Sequence, residues 1–136
     1  MKKIYKYGLA FIRDNKLLLC KPYAFDDLIL PGGIKEGNET FEEGLQREAY
    51  EELGKNATII DGSLKYLGNF HDIAAGRNDT VVEIELYSGD IDGEVIPSSE
   101  IKDLVWFSAD DDMEALSPII RNKIFPFLLE RDHIKP

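Results

Sequence analysis

Arg47, Glu48, Glu51 and Glu52 fall within six consecutive positions of a segment whose apolar residues recur every four. On a helical wheel at 100° per residue, Phe41, Leu45, Ala49 and Leu53 lie at about 0°, 40°, 80° and 120°, and Glu48, Glu52 and Glu51 near 340°, 20° and 280°. Glu52 therefore sits inside the edge of the apolar stripe. A solvated helix keeps its acids opposite the core, because an unpaired buried carboxylate is strongly unfavourable. Glu48 also stands at i, i+4 from Glu52 and at i, i+3 from Glu51, where Cβ atoms are about 5 to 6 Å apart and like charges repel. A divalent cation removes that repulsion. Oxygen donors without a His/Cys cluster select Mg²⁺ or Mn²⁺ over zinc. The competing reading is a salt-bridged, solvated helix in which Arg47 pairs with Glu51 or Glu43. Gly44, near 300° on the carboxylate face, costs roughly 1 kcal/mol relative to alanine, so either something approaches the backbone there or the helix packs closely on a neighbour.

These side chains need a helix with fixed ends. Thr40 followed by Glu43 forms a capping-box pattern, and Gly54 is a natural stop, which predicts a helix of about 13 residues. Ahead of it, a short strand over residues 28–30 ends at Pro31, Gly32 and Gly33. Strand-like runs cover 4–12 and 16–20, separated by Arg13, Asp14 and Asn15, and further strands are predicted over 58–60, 64–70, 80–87 and 104–107. In 80–87, Val82, Ile84 and Leu86 share one face, and Glu83 and Glu85 the other. Ser108 and the aspartates after it open a short helix or turn. Residues 118–129 carry Ile119, Ile120, Ile124, Phe127 and Leu128 at helical spacing, with a kink expected at Pro126. Strands mixed with two helices imply an α/β sandwich.

The chain has 136 residues, no internal repeat and no low-complexity linker, so residues 1–136 are expected to form one domain with one core. A composition of 43% hydrophobic and 31% charged residues is that of a soluble globular protein. The formal charge of -10 lacks the basic footprint of a nucleic-acid-coating surface, so no nucleic acid polymer is expected as a partner. Lys6 interrupts the first apolar stretch and no cleavage site follows, so the N-terminus reads as a strand and not as a signal peptide. No apolar run approaches the roughly 20 residues that span a bilayer, and Cys20 is alone, so a reduced cytoplasmic setting away from membranes is expected. Cys20 reads as a small buried hydrophobe.

Gly33, Glu39, Arg47, Glu48, Glu51, Glu52 and Gly54 together match a pattern of Gly, Glu, Arg-Glu, Glu-Glu and Gly at fixed spacing over Gly33 to Lys55, 23 of the 136 residues. This segment resembles the Nudix box, G-x5-E-x7-R-E-U-x-E-E-x-G-U with U a bulky aliphatic residue. Ala49 is small for its aliphatic position, and Lys55 stands where an aliphatic residue usually closes the loop, which bears on local packing.

The resemblance implies a Nudix-type α/β/α sandwich with a mixed β-sheet, and a hydrolase cutting a pyrophosphate bond in a nucleoside diphosphate linked to another moiety. It implies Mg²⁺ or Mn²⁺ held by Glu48 and Glu52, with Glu51 as a further ligand or the base and the Gly32 carbonyl completing the shell. Glu39 would brace the loop, and Arg47 would orient a neighbouring glutamate from behind. Glu100, ahead of the strand that reaches Trp106, is a candidate base outside the box, with Glu83 and Glu85 as alternatives. Lys21, Tyr23, Phe25, His71 and Arg77 are candidates for phosphate contact or base stacking by loop placement.

Phe70 and His71 stand where ADP-ribose hydrolases tend to place a proline, and the tyrosine typical of dinucleoside polyphosphate hydrolases is absent. Ala115, Leu116 and Ser117 precede Pro118 where purine-reading relatives often carry an Asn. The expected substrate is a small nucleotide, with nucleoside triphosphate pyrophosphohydrolysis favoured over ADP-ribose or another nucleotide sugar because the chain is short. A non-catalytic nucleotide-binding module is the alternative of another class. The sequence leaves the oligomeric state open, a homodimer included.

Overall fold

The computed structural model describes residues 1–136. A four-stranded mixed sheet has the order β4 (Gly32–Ile34), β1 (Lys2–Ala10), β7 (Arg77–Ser88), β6 (Lys65–Ala74). β1 and β7 run parallel, while β4 and β6 flank them antiparallel. A second, antiparallel sheet joins β2 (Ile12–Arg13), β3 (Lys16–Pro22) and β9 (Ile101–Phe107), and β5 (Thr58–Ile59) pairs with β8 (Ile91–Asp92). Helix α1 (Phe41–Leu53) lies on one side, and a C-terminal helical segment ending in α2 (Phe125–Glu130) on the other. The α/β sandwich with a mixed sheet expected from the sequence is present.

Period-two alternation divides the core into two apolar clusters. Leu9 and Phe11, with Leu18 and Cys20 of β3, join Leu45, Ala49 and Leu53 of α1. Ala10, with Leu17 and Leu19 of β3, joins Val82, Ile84 and Leu86 of β7 and Ile120, Ile124 and Leu128 of the C-terminal segment. Successive side chains of a strand point to opposite faces, so each central strand feeds both clusters. No helix is long and apolar enough to cross a membrane.

Several elements differ from the sequence expectation. The first strand is not continuous over 4–12: β1 ends at Ala10, and Ile12 begins β2 in the other sheet. Its hairpin turns on Asp14 and Asn15 alone, at φ 54° and 62°, with Arg13 opposite Lys16. Two left-handed residues of this type form the tight loop whose twist suits a hairpin. Residues 28–30 make only isolated bridges, Ile29 to Cys20 and Leu28 to Leu116, and the strand forms instead at β4. At Gly32, φ is 147° and a Cβ would collide with the Tyr7 carbonyl, so glycine permits an approach that propensity scales do not credit.

Where a kink was expected at Pro126, the helical run changes its hydrogen-bond pattern. Ile120–Ile124 forms a π-helical turn, with the Phe125 amide donating to the Ile120 carbonyl, and Pro126 lies in the first turn of α2. The wider π turn falls immediately ahead of the proline, which has no amide to donate and whose ring crowds the preceding turn.

Candidate active site

Helix α1 starts as its sequence predicts. The Glu43 amide donates to Thr40 Oγ1 at 3.2 Å, and the Thr40 amide donates to Glu43 Oε1 at 2.9 Å. Gln46, which the sequence reading did not single out, pins the helix to β5 by donating to the Ala57 carbonyl at 3.0 Å and accepting from the Ile59 amide at 2.8 Å. A Cβ at Gly44 would strike the Tyr7 ring, so this glycine serves close packing of α1 on β1 and not ligand approach. Lys55 is exposed, and the chain beyond it buries Ala57 and Ile59.

Arg47 ties the helix to the preceding loop. Its guanidinium donates to Glu39 at 2.9 and 3.1 Å, to the Ile34 carbonyl at 3.1 Å and to Glu48 Oε1, and it pairs with Glu36 at 3.0 Å. Glu51 lies 3.8 Å away. Glu39 also accepts from the Glu36 amide at 2.7 Å, and its carboxyl is held below the ordinary range, first by Arg47 and then by that amide. The salt-bridged reading of Arg47 is therefore correct in part: its guanidinium binds glutamates of the loop and of α1 together.

The three box glutamates differ in environment. Glu48 is 12% exposed at its side chain and Glu51 is 55%. Burial raises the Glu48 pKa against the opposing effect of Arg47. Glu52 is pushed up to about 8, mainly by burial and further by Glu48 and Glu51, although the Gly32 amide donates to its Oε1 at 2.8 Å and Lys6 lowers it. A Cβ at Gly33 would land on the Glu48 carboxylate, so the Gly-Gly pair lets β4 lie directly against the helix acids. As the side chains stand, no three His, Cys, Asp or Glu groups converge on one cation-sized point. Two half-buried carboxylates, one of them favouring its neutral form, are nevertheless a donor set whose charge is poorly compensated by the protein alone. That chemistry fits a hard divalent cation.

A cleft of about 1120 Å³ connects these acids to the sheet interior. Gly32, Gly33, Arg47, Glu48, Glu51 and Glu52 line it together with Ile4, Lys6, Val82 and Ile84 of the large sheet and Ser117, Ile119 and Ile120 of the C-terminal segment. Glu100, Tyr23, Phe25 and Arg77 also line it, whereas Lys21 and His71 do not, and Lys21, His71 and Arg77 lie in strands where loops were expected. Glu83 is engaged by Lys3 at 2.9 Å and Asn69 at 2.8 Å, and Glu85 accepts from the Tyr87 hydroxyl at 3.1 Å, which removes both from the cleft. Cys20 is fully buried and its thiol is pushed up by burial, consistent with an inert core residue.

The NUDIX domain profile matches residues 7–127. The chain belongs to the Nudix family. Among curated proteins, none matches it. The solution structure of the E. coli ORF135 protein superposes with a TM-score of 0.70 at 26% identity, covering 98% of this chain and 94% of that one. A MutT NUDIX hydrolase from Burkholderia pseudomallei aligns at 25% identity and TM-score 0.67, over 82% of this chain and 88% of that one. An ADP-ribose pyrophosphatase from Streptococcus suis shares the fold, with TM-score 0.62 at 19% identity over 98% and 94% of the two chains. This Nudix chain is accordingly a hydrolase of phosphoric anhydrides.

Lys6 and Ser117 line the Nudix cleft but were not assigned a role from the sequence. The Lys6 signal was present, because a lysine at i+2 from Ile4 on one strand face stands among residues expected to be apolar. Ser117 stands in the stretch where purine-reading relatives often carry an Asn, but its residue type assigned it no role. It is 2% exposed, its amide donates to the Leu28 carbonyl at 3.0 Å, and its Oγ is the one buried side-chain polar atom without a partner.

Proposed function

We propose that this Nudix hydrolase is a nucleoside triphosphate pyrophosphohydrolase that takes the base into the apolar part of the cleft and the phosphates beside the box glutamates. The observation that carries the reading is the continuity of one cleft from Glu48 and Glu52 to Ile4, Val82, Ile84, Ile119 and Ile120. Apolar walls suit the faces of a base, and a few polar groups suit its edge and its phosphates.

Glu48 and Glu52 would hold Mg²⁺ or Mn²⁺, with Glu51 and the Gly32 carbonyl as further oxygen donors. When bound, the cation supplies charge neutralisation on the phosphate oxygens and acidifies the attacking water. Arg47 keeps Glu48 and the loop in place through the bonds to Glu39 and the Ile34 carbonyl. The Gly32 amide fixes the direction of the Glu52 carboxylate. Glu100 has no hydrogen-bonding or ion-pair partner for its side chain and Glu51 has only the 3.8 Å contact with Arg47, so these two carboxylates are free to take the proton of the attacking water.

A substrate panel with Mg²⁺, followed by product identification, tests the proposal. A nucleoside monophosphate and pyrophosphate are expected from at least one triphosphate, with kcat/KM above that for ADP-ribose and nucleotide sugars. Preference for a nucleotide sugar across the panel would reassign the substrate class.

Ser117 offers a second check. A buried hydroxyl without a partner destabilises the unliganded fold by on the order of 1 kcal/mol, so Ser117→Ala should raise the urea midpoint of the free protein. The same change should raise KM for the preferred nucleotide if the hydroxyl meets the base edge. A lower midpoint with unaltered KM would show that Ser117 serves packing alone.

A further inference from the structure

Lys6 lies in the middle of β1, opposite Ile34 of β4 and Ile84 of β7. It shares a strand face with Ile4 and Gly8, and all three line the cleft. The residue is half-buried. No carboxylate lies within 4.0 Å of its Nζ, its side chain makes no hydrogen bond, and no aromatic ring covers it. The contrast with its neighbours is informative. Lys3, three residues earlier and on the opposite face of β1, pairs with Glu83 at 2.9 Å, and the Arg47 guanidinium is committed to acids of the loop and of α1.

In a chain of formal charge -10, a lysine that lines a cleft beside two glutamates and that no acid claims is unusual. An ammonium facing an enclosed cleft attracts an anion there more strongly than it would in open water. Glu52 feels the charge of Lys6 but does not pair with it, being turned to the Gly32 amide. The open partner must come from the cleft, beside the carboxylates proposed to hold the cation. We propose that Lys6 binds a phosphate group of the substrate, so that the polyphosphate is held both by a cation at the glutamates and by the Lys6 ammonium on β1. This rests on the pyrophosphohydrolase reading for its ligand class, phosphoric anhydrides, but does not depend on the identity of the base.

The test is calorimetric binding of inorganic pyrophosphate in saturating Mg²⁺ to the full chain, to Lys6→Gln and to Lys6→Arg. Loss of one charge-assisted phosphate contact should weaken binding in Lys6→Gln by about 10- to 100-fold, and Lys6→Arg should recover most of it. KM for the preferred substrate should rise in parallel with the loss of pyrophosphate affinity. Removing a positive charge near Glu52 should leave the Mg²⁺ concentration needed for half-activation equal or lower, which separates phosphate binding from damage to the cation site. Should Lys6→Gln misfold, Lys6→Met keeps the aliphatic stem and answers the same question. Pyrophosphate affinity within about twofold of the unsubstituted chain in a folded variant, or no pyrophosphate binding by the unsubstituted chain, would overturn the assignment. A panel in which nucleoside triphosphates are not hydrolysed counts against the substrate reading alone, since pyrophosphate binding still tests Lys6.

Discussion

In Glu52→Gln, kcat should fall by roughly 10²- to 10³-fold while the fold is kept. The substitution preserves volume and can still accept from the Gly32 amide, but it removes a carboxylate from the proposed cation site. Stability should move the other way. Burial raises the Glu52 pKa to about 8 in the metal-free protein, above the ordinary carboxylate value, so the folded state binds a proton that the unfolded chain has released. That contribution is fully present below about pH 4.5 and is lost as pH rises through about 8. The metal-free protein should therefore lose stability between those limits, and Glu52→Gln should flatten the loss. Urea midpoints of both proteins at several pH values, with kcat at saturating Mg²⁺, measure the two effects on one preparation. A kcat within about twofold of the unsubstituted protein would remove Glu52 from the reaction.

Chelation should abolish turnover altogether, and addition of Mg²⁺ or Mn²⁺ should restore it. Glu48 and Glu52 are held near each other and away from water, and Arg47 reaches only Glu48 of that pair by a hydrogen bond. Without a cation the charge of an incoming polyphosphate adds to that of the glutamates, more than the few basic side chains of the cleft can offset. The cation should also stabilise the fold, by about 2.7 kcal/mol at a free concentration one hundred times its dissociation constant. Because the proton on Glu52 competes with the cation, the gain in thermal midpoint should be larger at pH 8 than at pH 6. Turnover assays in excess EDTA and thermal unfolding at the two pH values provide the measurements. Full activity in EDTA after removal of bound metal would refute the dependence.

Much of this was legible in the sequence. The four-residue recurrence of Phe41, Leu45, Ala49 and Leu53, the Thr40 and Glu43 cap and the Gly54 stop are local signals, and α1 spans the residues they indicate. The spacing of Gly33, Glu39, Arg47, Glu48, Glu51 and Glu52 carried the family, and the wheel placed Glu52 at the edge of the core, where it is indeed half-buried. The donor chemistry followed from residue types alone, since carboxylates without a His/Cys cluster select hard cations.

Tertiary structure decided what depends on residues far apart in the chain. The sequence read a strand at 28–30, but pairing with β1 is made at Gly32–Ile34, because the absence of Cβ atoms allows two backbones and a glutamate to meet there. Glu83 and Glu85 were equal candidates to Glu100 in residue type, and only the register of β7 with β1 and β6 turns them away from the cleft, toward Lys3, Asn69 and Tyr87. Lys6 and Ser117, separated by most of the chain, become lining residues of one cleft when the C-terminal segment packs on the large sheet. Periodicity and capping act over one or two turns and can be read from the residues themselves. Desolvation and the presence or absence of a partner depend on which distant surfaces are brought together, and those surfaces exist only in the folded chain.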